Sequence, residues 1–147
     1  MMSTRYRMPE PYQELDHTAD AGVVVRAPTA EAALGRLILA FASMLSGGAP
    51  VRSEREAIVT VGPGDRAAMA IDILRELLYR FDCERVIPSE CEIRRFDPDL
   101  GAEVLVALGP YDAEAHAEGT VLKAVTWHDA HFEPRAGEWL AQVVFDV

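Results

Sequence analysis

The chain has 147 residues, half of them hydrophobic, and a formal net charge of −10, which fits one soluble globular domain. That charge argues against a protein that grips nucleic acid through its own phosphate contacts, which need a basic face, and leaves room for a basic protein partner or bound cations. No apolar run approaches the ~20 residues that cross a bilayer, and the opening "MMSTRYRMPEPYQ" lacks the apolar core of a secretory signal, so no membrane association and a cytoplasmic address are expected.

Cys83 and Cys91 are spaced neither as a C-x-x-C motif nor as a disulfide framework, and both are expected to be reduced packing residues. The basic residues are lopsided: thirteen arginines and one lysine, Lys123. A bias in base composition accounts for the arginines and leaves the single lysine unexplained.

In chain order, residues 1–10 read as a flexible N-terminal arm, followed by a single domain over residues 11–147. "YQEL" and "AGVVVRA" read as short strands on either side of a polar cluster, the second buried because of its valine run. "PTAEAALGRLILAFASMLSGG" predicts a helix with Thr29 as N-cap and Gly47–Gly48 as the stop. Leu34, Leu37, Ile38, Phe41 and Leu45 fall at helical spacing and give it one apolar face. "REAIVTVG" is a strand ended by Gly62-Pro63-Gly64. A second helix is expected from Asp65 to Phe81, with Ala70, Ile73, Leu74, Leu77, Leu78 and Phe81 inward. "SECEIRRF" and "AEVLVALG" are strands around the turn Asp97–Gly101, and Tyr111–Gly119 is a polar segment. "TVLKAVTWHDAHFE" and "EWLAQVVFDV" close the chain as strands. Connections this short join antiparallel neighbours. The class is therefore α+β, with two helices packed on one face of a mainly antiparallel, multi-stranded sheet.

The chemistry concentrates in "DHTAD", Asp16 to Asp20. On a helix the two aspartates would share a face about 6 Å apart; on an extended segment they lie ~13 Å apart, too far for one ion. Between two strands, one of the pair is expected as a cation ligand, and residue spacing does not say which. An Asx-turn capped by both is the alternative. At the other end of the sequence, Asp146 and the carboxylate of Val147 put two anionic groups on an apolar strand. "VVFDV" reads as buried, and a buried carboxylate must be neutralised by an arginine, a proton or a metal. A frayed terminus with a solvated Asp146 is the plain alternative. Such hard oxygens suit calcium or magnesium rather than zinc. His128 and His131 face opposite ways in a strand, so a shared metal is not expected there. No nucleophile elbow and no phosphate-cradling glycine loop is present.

Three segments in series carry a family resemblance. "YQELDHTADAG" resembles the opening D-H-T-A-D motif of the archease family. "AIDILRELLYRFD" is similar to its second-helix signature. "LKAVTWHDA" with "WLAQVVFDV" resembles its V-K-A-V-T-Y-H segment and terminal F-D-I. "GPYDAEAHAEGT" sits where that family has an acidic, histidine-containing loop. Order and spacing agree over about residues 11–147, with Leu122, Trp127 and Val147 as mild departures that touch packing. The resemblance implies a non-catalytic, chaperone-like accessory protein of the GTP-dependent RNA ligase of tRNA splicing and RNA repair. It would promote ligase guanylylation and multiple turnover. It further implies a divalent metal, calcium, held by Asp20, Asp146 and Val147. Asp16 and His17 would then orient the loop, and Lys123 would act on the ligase or its nucleotide. No tight direct nucleic-acid binding is expected. The competing expectation is a small metal-dependent hydrolase, phosphatase- or nuclease-like, using Asp20 and Asp146.

Overall fold

The computed structural model describes residues 3–16 and 20–147. Helix α1 spans Ala30–Ser46. It starts where Thr29, in extended backbone, turns its hydroxyl to accept from the Ala32 amide at 3.1 Å, and stops where Gly47 adopts a left-handed φ of 69°. Helix α2 spans Arg66–Glu84, with the Asp65 carboxylate accepting from the Ala68 amide at 2.8 Å. It runs three residues past the expected end at Phe81. No glycine marks its stop; Arg85 takes the left-handed position at φ 54°, a conformation costing a non-glycine residue roughly 1–2 kcal/mol.

Eight strands surround the helices: β1 (Arg5–Arg7), β2 (Gln13–Asp16), β3 (Asp20–Ala27), β4 (Arg55–Val61), β5 (Val86–Asp97), β6 (Gly101–Pro110), β7 (Ala124–Arg135) and β8 (Glu138–Asp146). All pairings are antiparallel, so the α+β class holds. The strands divide into two four-stranded sheets, in the orders β1-β5-β6-β4 and β2-β3-β8-β7. Each sheet has a tight hairpin. In the first, Asp97 Oδ1 accepts from the amides of Asp99 and Leu100 at 2.8 and 3.1 Å. In the second, Ala136 and Gly137 both sit at positive φ, 53° and 81°, the two-residue turn whose twist matches its strands.

The split corrects the expected helix packing. α1 touches β1 and β5 of the first sheet and β3 and β8 of the second, and α2 touches β4, β5 and β7. The single apolar face expected of α1 is instead burial on nearly all sides, from Ala33 through Ser46, with Arg36 the part-exposed exception. α2 keeps the expected pattern, with Ala70, Ile73, Leu74, Leu77, Leu78 and Phe81 buried.

Part of the N-terminal arm is paired in the first sheet. Residues 5–7 pair with Glu90–Glu92 of β5, and Arg5 bonds Glu90 at 2.9 Å and Glu56 at 3.2 Å. Tyr6 lies over Gly35, where an added Cβ would fall 2.5 Å from its ring. Glycine inside a helix costs about 1 kcal/mol against alanine, and the close approach of Tyr6 is what that position accommodates. The cysteines part company: Cys91 is buried and Cys83 exposed. Burial pushes the Cys91 thiol well above its ordinary range.

Candidate metal centre

Strands β3 and β8 are neighbours in the middle of the second sheet, and their register sets the site. Asp20 pairs with Asp146, Ala21 with Phe145, Gly22 with Val144. Residues directly opposite in an antiparallel pair share a face, with Cβ atoms about 4.5–5.5 Å apart. Residues some 126 positions apart in sequence are therefore brought side by side. The next strand extends the row, since Ala124 pairs with Asp146 from the other side.

Alternation decides which way this row faces. Ala141, Val143 and Phe145 belong to the core, and the Phe145 ring lies 5.9 Å from that of Phe41 on α1. Asp20 and Asp146 are out of phase with those residues and take the opposite face. Asp146 is exposed, Asp20 half-buried, and Val147 is 39% exposed. The sequence expectation of a buried carboxylate at the end of "VVFDV" is thereby corrected: burial ends at Phe145, and solvation meets part of the electrostatic demand. The strand does not fray, since β8 is paired through Asp146.

Like charges directly opposite on a sheet oppose one another. No ion pair among the described residues involves Asp20 or Asp146. No three His, Cys, Asp or Glu side chains gather as a metal cluster among the described residues either. A cation here would draw on the two aspartates and add oxygens from the Val147 carboxylate, from backbone or from water. An all-oxygen set of this kind fits calcium or magnesium better than zinc.

The other expected site residues fall as follows. Asp16 ends β2 in register with Ala21, one position from Asp20. His17 lies outside the described residues. Lys123 is exposed, and its amide donates to the Asp146 carbonyl at 2.8 Å, so backbone pairing fixes it to the acidic row. Its ammonium makes no ion pair among the described residues. In β7 the register breaks between Thr126 and His131, with Asp129 at φ 51°. His128 stays exposed beside Asp129 at 3.2 Å.

One residue with a structural part in this region was not singled out from the sequence. His116, in the turn after β6, is 3% exposed. Its Nδ1 accepts from the Asp112 amide at 2.9 Å, which leaves the proton on Nε2 to donate to the Pro50 carbonyl at 3.0 Å. Its own carbonyl accepts from the Gly119 amide at 3.0 Å, and the next amide, of Thr120, reaches Met44 of α1 at 2.7 Å. Gly119 is required there: a Cβ would stand 2.0 Å from the Leu45 carbonyl. Leu122 is then buried and Lys123 exposed. His116 thus pins the segment that delivers Lys123. The available signal was Asp112 four residues earlier, whose carboxylate caps the turn by accepting from the Glu114 and Ala115 amides at 2.9 and 3.2 Å. Those amides hold its carboxyl below the usual range.

Comparison with known proteins agrees with this frame. Residues 12–147 match the family model described as "Archease protein family (MTH1598/TM1083)". The protein archease of Methanopyrus kandleri is 32% identical over 139 residues, covering 93% of this chain and 99% of that one. That of Methanosarcina mazei is 32% identical over 139 residues, covering 92% and 95%. The solution structure of Methanobacterium thermoautotrophicum protein 1598 superposes with a TM-score of 0.76 at 25% identity, over 92% of this chain and 98% of that one. A crystal structure from Thermotoga maritima, described as an archease and possible chaperone, shares the fold with a TM-score of 0.62 at 19% identity, over 97% and 99%. The chain belongs to the archease family.

Proposed function

We propose that this protein is a metal-binding accessory protein that activates a GTP-dependent RNA ligase in tRNA splicing or RNA repair, promoting ligase guanylylation and repeated turnover. The observation that carries the reading is the register pairing Asp20 with Asp146 beside the C-terminal residue, with Lys123 anchored to the same row. In this reading Asp20, Asp146 and the Val147 carboxylate hold a divalent cation, calcium. When bound, the ion supplies positive charge that ties the ends of β3 and β8 together. The chain's own residues do the rest. The His116 turn fixes the approach to Lys123, and Lys123 offers a compact, mobile amine to the ligase or its nucleotide, which a planar guanidinium does not copy. The acidic surface supports docking against a basic protein rather than RNA.

The test is RNA ligation by the ligase of the same organism with substrate in large excess, run without this protein, with it, and with Asp20→Ala or Lys123→Ala. Many turnovers only with the unaltered protein are expected. Lys123→Ala should keep fold and calcium affinity and lose activation, with no rescue by Lys123→Arg. A ligase indifferent to every variant overturns the reading. Phosphatase or nuclease turnover by the isolated protein with magnesium, abolished in Asp20→Ala, would replace it with the hydrolase.

A further inference from the structure

A second feature lies at the far end of β3. Thr29 lies two residues past its last residue, Ala27, some nine residues beyond Asp20, or roughly 25–30 Å along an extended chain. There a cavity of about 420 Å³ opens between β1, the first turn of α1 and the end of β5. Thr4 and Tyr6 line it from the arm, Thr29 and Glu31 from α1, and Arg95 and Leu100 from β5 and the turn after it.

Two of its four charged side chains, Arg95 and Glu31, have no ion pair among the described residues. Arg94, also on the wall, bonds Glu92 at 3.0 Å, and the wall's Asp97 is committed to its turn amides. Arg95 makes no hydrogen bond or ion pair with any described residue, and its Nε is closed off from solvent without an acceptor. A part-buried guanidinium left so costs free energy that an acceptor would offset. Glu31, a carboxylate on the same wall, lies within no ion pair among the described residues. With Nε sealed, the terminal nitrogens remain as the fork that takes an oxyanion end-on. Thr4, Tyr6 and Thr29 add hydroxyls. Leu100, 67% exposed at the turn, supplies an apolar edge.

We propose that this cavity binds a small organic oxyanion, a phosphate monoester or a carboxylate with an apolar or aromatic body. Its charged end sits on Arg95 and its body against Tyr6 and Leu100. The site is separate from the acidic row and does not depend on the function proposed above.

The experiment is a titration of the full chain, followed by backbone amide shifts, with phenyl phosphate, benzoate and inorganic phosphate. Phenyl phosphate or benzoate should saturate with a Kd below about 10 mM, moving the amides of Thr4, Tyr6, Thr29, Arg95 and Leu100. Inorganic phosphate should bind more weakly than phenyl phosphate, and the better of phenyl phosphate and benzoate identifies the anion. Arg95→Gln should weaken binding at least about tenfold, the scale of one charged hydrogen bond. Glu31→Gln, which removes the competing carboxylate, should tighten it, so the proposal stays testable if Arg95→Gln fails to fold. No saturable shift with any probe, or equal affinity in Arg95→Gln, overturns it; Arg95 is then served by water alone.

Discussion

The arginine-bonded acids of the first sheet and the Asp20–Asp146 row of the second are treated in opposite ways, although the second sheet also pairs Glu133 with Arg135 on β7. On the first, acids are matched by arginines. Arg5 and Arg7 meet Glu90, Arg94 meets Glu92, and Arg55 meets Glu84 of α2. Arg55 holds the Glu84 carboxyl low, and Arg94 does the same for Glu92. On the second, Asp20 and Asp146 face each other across β3 and β8, and neither joins an ion pair among the described residues. The chain carries thirteen arginines, and none of them pairs with either aspartate among the described residues. Like charges held opposite one another in this way repel. The contrast extends along β8 itself, where Phe145 is sealed in the core and its neighbour Asp146 is exposed.

Four changes break or sharpen that contrast. Phe145→Ala should have the largest effect, about 3–5 kcal/mol lost in chemical denaturation, because a buried ring in contact with Phe41 leaves a cavity. A loss below about 1 kcal/mol would mean β8 is not core at this point. His116→Ala comes next, at about 1–3 kcal/mol, since it strands the Asp112 amide and the Pro50 carbonyl. The same variant should increase amide exchange from Thr120 to Lys123, and unchanged exchange there would uncouple His116 from the lysine. Asp20→Asn or Asp146→Asn should be smallest and of opposite sign. Without divalent ions, relief of the facing charges should raise stability by about 0.2–1 kcal/mol. With calcium, the unaltered protein should gain melting temperature and either variant should not. Equal calcium stabilisation of all three would remove the aspartates from the metal site.

The fourth prediction concerns acid. Asp112 has a folded value held below its ordinary 3.8 by the amides it caps. A depressed carboxyl contributes stability that is fully present above the ordinary value and is lost as pH falls through the folded one. The Asp112–Gly119 turn should therefore loosen below about pH 3.8, seen as faster exchange at Glu114 and Ala115, and Asp112→Asn should flatten that response. Glu84 and Glu92, held low by Arg55 and Arg94, should add acid dependence of the same sign, and because those contacts are exposed ion pairs it should shrink in high salt.

Much of the fold was legible because its signals are local. Thr29 and Gly47 bound α1 as expected, and the inward residues of α2 are those its periodicity marked. Where the reading failed, the missing information lay across the chain. Nothing near Leu34 tells a helix with one apolar stripe from one wrapped by two sheets; a glycine tolerated in mid-helix at Gly35 was the clue that something packs closely against it. Charged residues 1–10 looked unanchored because the partners of Arg5, Glu90 and Glu56, are far along the sequence. His116 looked like one polar residue among several, since its burial depends on Pro50, 66 residues earlier.

The candidate site divides the same way. By itself the sequence determined the class of chemistry: hard oxygen donors in two clusters at opposite ends of the chain, one lysine in an arginine-rich protein, and motifs in the order of the archease family. Residue types and their spacing carry that much because ligand hardness and charge belong to side chains. Tertiary structure decided which aspartate meets which, placing Asp20 rather than Asp16 across from Asp146 through the register of β3 on β8. It also decided that Asp146 is exposed, that Lys123 hangs from its carbonyl, and that Arg95 lines a cavity without a partner among the described residues. Strand register is settled by burying Val143 and Phe145 against the helices, and a shift of one residue would turn every donor to the other face.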